Sequence, residues 1–125
     1  MGRKIVLVED DEMMIQVYTS RHVLGKYNIA IAKDGQEALE VIKNTMPELV
    51  LLDIVMPKKD GFQVLKEIKE DQILKSIPII IFTNWDSDDR QVQVGIDMGA
   101  IEYIIKCSIE PRELVQKIDN FFSLN

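Results

Sequence analysis

Residues 49–53 read Leu49-Val50-Leu51-Leu52-Asp53. The apolar run is too short for a helix and is continuous rather than alternating. That pattern predicts a strand covered on both faces, as in a parallel sheet, with one carboxylate, Asp53, emerging at its carboxyl end. Similar runs occupy Lys4–Val8, Ile29–Ala32, Ile77–Phe82 and Ile101–Ile105. Between them lie segments of helical period, predicted at Glu12–Leu24, Gly35–Asn44, Gly61–Glu70, Asp88–Met98 and Pro111–Phe122. Gly25 and Gly99 suit left-handed helix ends, and Pro47 and Pro78 stand at strand entries. Ser87 or Asp86 is the expected cap of the fourth helix, and Pro111 fits the first turn of the fifth. Strict alternation of strand and helix predicts an α/β domain, a doubly wound five-stranded parallel sheet. Its strand order does not follow from one sequence; 2-1-3-4-5 is the common order for five strands.

The chain has 125 residues, which suits a single domain over 1–125. Hydrophobic residues make up 46% and charged residues 29%, a globular composition. The net charge of -6 argues against a free-standing nucleic-acid binder, which needs a basic patch. One cysteine, Cys107, excludes an internal disulfide framework and a Cys-rich zinc site. No apolar run approaches the roughly 20 residues that span a bilayer, and no signal peptide is evident. A cytoplasmic location without membrane association is the expectation.

In open α/β sheets the ligand site lies beyond the carboxyl ends of the strands. Glu9, Asp10 and Asp11 follow the first predicted strand, Asp53 follows the third, Thr83 ends the fourth and Lys106 follows the fifth. Carboxylates gathered in one concavity repel by roughly 3 kcal/mol per pair at about 5 Å and an effective dielectric of about 20. Either their pKa values rise or a cation enters. An all-oxygen donor set suits Mg²⁺, and no His or Cys cluster favours zinc. A carboxylate beside Mg²⁺, a lysine and a small hydroxyl is what phosphoryl transfer requires, because negative charge spreads over three equatorial oxygens. Asp53 is the natural acceptor.

These residues carry a resemblance. The chain resembles the receiver domain of two-component response regulators over essentially its whole length. The motifs are Ile5-Val6-Leu7-Val8-Glu9-Asp10, Leu51-Leu52-Asp53-Ile54-Val55-Met56-Pro57 with Gly61, Phe82-Thr83, Gly99-Ala100, and Tyr103 three residues before Lys106. The resemblance implies a flavodoxin-like (βα)5 fold of order 2-1-3-4-5. It also implies that Glu9 and Asp10 hold Mg²⁺ with Asp53 and the Val55 carbonyl, Glu9 often through water. Asp53 would take a phosphoryl group from a sensor histidine kinase or phosphotransfer protein, with Lys106 on the phosphate. Thr83 and Tyr103 would form the switch pair, and the output would be a population shift over the fourth helix, fifth strand and fifth helix. Such a domain is a phospho-acceptor that promotes its own phosphorylation and dephosphorylation rather than an enzyme. It either acts by docking or belongs to a longer protein; the sequence leaves both open.

Two positions depart from the family pattern. Cys107 stands where the family usually has proline, and Asn84 where it has a small residue. The rate-tuning positions are Val55 and Trp85, neither suited to orient an attacking water, so a long-lived phosphate is expected. Cys107 and Asn84 keep open a degenerate receiver that binds partners without phosphorylation. A Mg²⁺-dependent phosphohydrolase would want a second acid where Val55 stands. A flavin site would want glycines and hydroxyls in the acidic first loop. Of the other features, Lys58 and Lys59 read as a solvated turn or a positive docking aid. The Met13, Met14, Ile15, Val17 run reads as core with some spillover. His22 reads as a solvated residue late in the first helix. Ile96, Ile101 and Ile104 suggest a homodimer or docking face.

Overall fold

The computed structural model describes residues 2–84 and 88–124. The strands are β1 (Lys4–Val8), β2 (Asn28–Ala32), β3 (Leu49–Leu52), β4 (Ile79–Thr83) and β5 (Glu102–Ile105). They alternate with α1 (Glu12–Thr19), α2 (Gly35–Thr45), α3 (Gly61–Glu70), α4 (Asp89–Asp97) and α5 (Pro111–Leu124). A short 3-10 turn, Lys106–Ser108, follows β5. All pairings are parallel, in the order β2-β1-β3-β4-β5. The architecture is the flavodoxin-like doubly wound sheet.

The continuous apolar strands divide their side chains by parity. Val6, Val8, Val50, Leu52, Ile79 and Ile81 pack with Ala38 and Ile42 of α2 and Val64, Leu65 and Ile68 of α3. Ile5, Leu7, Leu49, Leu51, Ile80 and Phe82 face the other way, onto Tyr18 of α1 and Leu114, Ile118 and Phe122 of α5. Both faces of the three central strands, β1, β3 and β4, are therefore covered. Each fully buried Val, Leu or Ile contributes about 1.5–3 kcal/mol of transfer free energy, which locks the register that sets the strand ends.

Several boundaries differ from the expectation. Helix α1 stops at Thr19 rather than Leu24, because Ser20 turns extended and Val23 and Leu24 fold back into the core. His22 accordingly lies on an exposed turn, not in the helix. Gly25 is not left-handed; Gly99, at φ 111°, is the glycine with positive φ among the described residues. Gly25 is needed for proximity instead, since a Cβ there would lie 2.7 Å from the Ser20 carbonyl oxygen. The cap of α4 is Asp88, which forms a reciprocal capping box with Gln91. The caps expected at Asp86 and Ser87 lie outside the described residues. Strand β4 begins after Pro78 rather than at Ile77, and Thr83 ends it as expected.

Exposure corrects other assignments. Ile104 is 6% exposed and belongs to the α1/α5-side core, so it cannot form an outer face; Ile96 and Ile101 are exposed. The parity of β5 explains this, for Ile104 pairs with Phe82 and shares its side of the sheet. In the α1 run Ile15 is buried, Met14 packs on the core, and Met13 and Val17 are exposed.

Candidate functional site

Parallel register delivers the polar residues together. Val8 pairs with Leu52, so Glu9 and Asp53 leave adjacent strands at the same level. Their backbones stay tied in: Glu9 N–H donates to the Ala32 carbonyl at 2.9 Å and Asp53 N–H to the Val8 carbonyl at 3.2 Å. Thr83 pairs with Ile105, which places Lys106 one step past the hydroxyl. The mouth lies where β1 and β3 diverge toward opposite helical layers, the switch point at which such sheets bind ligands.

Both oxygens of Asp53 are engaged. Thr83 Oγ1 donates to Oδ1 at 2.7 Å and Lys106 Nζ to Oδ2 at 3.2 Å. The Val55 N–H approaches Oδ1 at 3.3 Å. Lys106 Nζ also donates to Glu9 Oε1, while Glu9 Oε2 accepts the Asp11 N–H at 3.1 Å. The ammonium lies 5.4 Å from the centre of the Phe82 ring. Glu9, Asp53, Thr83 and Lys106 are all buried, whereas Asp10 is exposed.

Burial pushes the Glu9 carboxyl above its ordinary value, against the pull of Lys106. Burial also draws the Lys106 ammonium down, but its bonds to Glu9 and Asp53 outweigh that effect and the net shift is upward. One ammonium thus serves two buried carboxylates, and Asp10 adds a third acid at the rim. Ligand oxygens of Glu9, Asp10 and Asp53 lie within 4.8 Å of one another. Hard, anionic and open to solvent through Asp10, this donor set fits Mg²⁺.

Tyr103 is half-buried against the α2/α3-side core, with its ring edge beside Gly95 of α4. The Val55 side chain is exposed, and Trp85 lies outside the described residues. Lys58 pairs with Asp34 at 3.4 Å and Lys59 with Glu67 at 2.6 Å, so both lysines are engaged in ion pairs. No peptide bond is cis among the described residues, so Lys106 and Cys107 are joined in trans. Sequence reasoning missed two contacts. One is the direct Glu9–Lys106 pair, between residues 97 apart in the chain. The other joins the two departures from the family pattern: Asn84 Oδ1 accepts the Cys107 N–H at 2.9 Å. The signal for the second was present, since a residue other than proline at 107 brings an N–H that needs an acceptor.

Comparison with known proteins agrees with this geometry. The sequence model of the family described as response regulator receiver domain matches residues 5–119. The chain is 36% identical over 116 residues to the probable transcriptional regulator ycf27 of Guillardia theta, covering 92% of this chain and 43% of that protein. It is 30% identical over 118 residues to the alkaline phosphatase synthesis transcriptional regulatory protein PhoP of Bacillus subtilis, covering 94% and 48%. The chain therefore spans less than half the length of these relatives. Among solved structures, the BeF3-activated N-terminal receiver domain of Klebsiella pneumoniae RstA has a TM-score of 0.82 at 34% identity, covering 93% of this chain and 95% of that one. No helix among the described residues is long and apolar enough to cross a membrane. Sheet order, acidic mouth and family match converge, and the chain belongs to the response regulator receiver domain family.

Proposed function

We propose that Asp53 accepts a phosphoryl group from a sensor histidine kinase or phosphotransfer protein in a Mg²⁺-dependent reaction. One observation carries the reading. The two oxygens of a single buried carboxylate are held by a hydroxyl and an ammonium, beside two more acids. An Asp53 oxygen attacks the phosphorus of a phosphohistidine; a P–O bond forms, the P–N bond breaks, and the imidazole leaves and takes up a proton. Glu9, Asp10, Asp53 and the Val55 carbonyl would hold Mg²⁺, which when bound neutralises charge on the phosphoryl oxygens. Lys106 supplies the second fixed positive charge and the Thr83 hydroxyl a neutral donor. The protein promotes its own phosphorylation and dephosphorylation and is not otherwise an enzyme.

Phosphorylation adds about 1.5 to 2 negative charges where Thr83 and Lys106 already converge. Thr83 and Tyr103 relay the change to the surface of α4, β5 and α5, where exposed Val94, Ile96 and Ile101 offer a docking or homodimer face. Val55 carries no side-chain group able to orient water, which supports a long-lived phosphate. Rapid loss in Mg²⁺, no slower than in a Trp85→Glu variant, would count against that lifetime. A phosphorylation-independent module fits less well, because Lys106 reaches Asp53 even with Cys107 after it. Incubation with acetyl phosphate or beryllofluoride plus Mg²⁺ tests the proposal. Intact mass should show one phosphate added from acetyl phosphate, lost in Asp53→Ala, and beryllofluoride should change the oligomeric state. No modification, and no difference between the two chains, would favour the phosphorylation-independent reading.

A further inference from the structure

The last rung between β4 and β5 is Thr83 opposite Ile105. One step on, Lys106 enters the 3-10 turn and the two backbones part. A side chain bridges the gap, for Asn84 Oδ1 accepts the Cys107 N–H at 2.9 Å. That bond joins the residue after Thr83 to the residue after Lys106. Thr83 and Lys106 in turn grip opposite oxygens of Asp53, at 2.7 and 3.2 Å. The contacts form a closed ring through Asp53, Thr83, Asn84, Cys107 and Lys106.

We propose that Asn84 is a positioning residue for Lys106: its side-chain oxygen fixes the turn from which the lysine stem departs, and so aims the ammonium at Asp53. Lysine has a long flexible stem and offers no rigid fork; Glu9 and Asp53 compete for its ammonium, so where its Cα is held bears on how squarely it meets Asp53. Displacements of about 1 Å at a reacting centre cost about 100-fold in rate. Asn84 and Cys107 are both exposed, and an exposed hydrogen bond contributes little to overall stability. Loss of this one should disturb the site while leaving the fold intact.

The inference rests on Lys106 being the phosphate-facing cation, but its first test is independent of phosphorylation. The unphosphorylated chain is treated with a limiting amine-acylating reagent, and modification of Lys106 relative to exposed Lys66 is read by peptide mass spectrometry. In Asn84→Ala, Lys106 labelling should rise several-fold. Asn84→Leu, similar in size but without an acceptor, should behave alike, and it serves in place of the alanine variant should that melt early. Asn84→Asp keeps the acceptor and should restore protection. Unchanged labelling in the Ala and Leu variants, or equal labelling in all three, overturns the proposal. The second test is the acetyl phosphate reaction in Mg²⁺. Asn84→Ala should slow it by about tenfold in the parent chain but by less than about twofold in a Lys106→Met background. Equal slowing in both backgrounds also overturns it. Failure of the parent chain to take phosphate would sink the proposed function instead, and labelling would still decide the role of Asn84.

Discussion

Among the described residues, two bearing a Cβ adopt left-handed backbone, Met46 at φ 48° and Lys58 at φ 70°. That region costs such a residue about 1–2 kcal/mol, and glycine avoids the cost while losing more chain entropy. Met46 caps α2 and is half-exposed, and the Lys58 ion pair with Asp34 is on the surface, where it is worth little. Met46→Gly and Lys58→Gly should therefore each stabilise by about 0.5–1 kcal/mol, read as a higher urea midpoint at unchanged slope. A lower midpoint would show that the side chains do more than these contacts indicate. Tyr27 gives a pH prediction. Burial, and then the bond its hydroxyl donates to Asp119, raise its pKa well above the ordinary 10.0. Above about pH 10 the unfolded tyrosine sheds its proton while the folded one keeps it, so stability falls as pH rises. The melting temperature should drop as the pH rises above about 10, and drop less in Tyr27→Phe.

At the scale of elements, the start of α3 is pressed against the exit of β3. A Cβ on Gly61 would lie 2.2 Å from the Asp53 carbonyl oxygen and 2.7 Å from the Ile54 Cα, both rigid backbone atoms. Gly61→Ala should cost about 3 kcal/mol or more and move Asp53, lowering acetyl phosphate reactivity as well as the denaturation midpoint. Its neighbour provides the contrast. Asp60 caps the same helix by accepting the Gln63 N–H at 2.9 Å. Asp60→Ala should cost about 1 kcal/mol and leave reactivity near that of the parent. The end of α1 was not legible in sequence: apolar spacing runs on through Val23 and Leu24, but the core claims those side chains from a turn. Helix starts were easier to read, because caps and glycines act within one turn of where they stand.

At the scale of the whole molecule, the site holds three acids against one ammonium. A cation bound only by the folded chain stabilises it, by about 1.4 kcal/mol at about ten times its Kd. Mg²⁺ should thus raise the melting temperature by a few degrees. Asp10→Asn should remove most of that rise while leaving the metal-free melting temperature near the parent's, since Asp10 is exposed. An undiminished rise in the variant would mean that Asp10 lies outside the cation's shell. The site residues themselves were visible beforehand because each follows an apolar run, and a parallel sheet puts the ends of such runs on one edge.

The order of residues was enough to read the alternation of strand and helix, the parallel sheet, and Glu9, Asp10, Asp53, Thr83 and Lys106 as the polar residues at its mouth. These are local properties, written in runs and periods within a few residues. Packing in three dimensions settles that Lys106 bonds Glu9 as well as Asp53, that Asn84 meets Cys107, and that Ile104 is inside while Ile101 is outside. Those outcomes depend on which distant atoms the packed strands bring within hydrogen-bond reach and on which face each strand's parity presents. No spacing along the chain encodes either one.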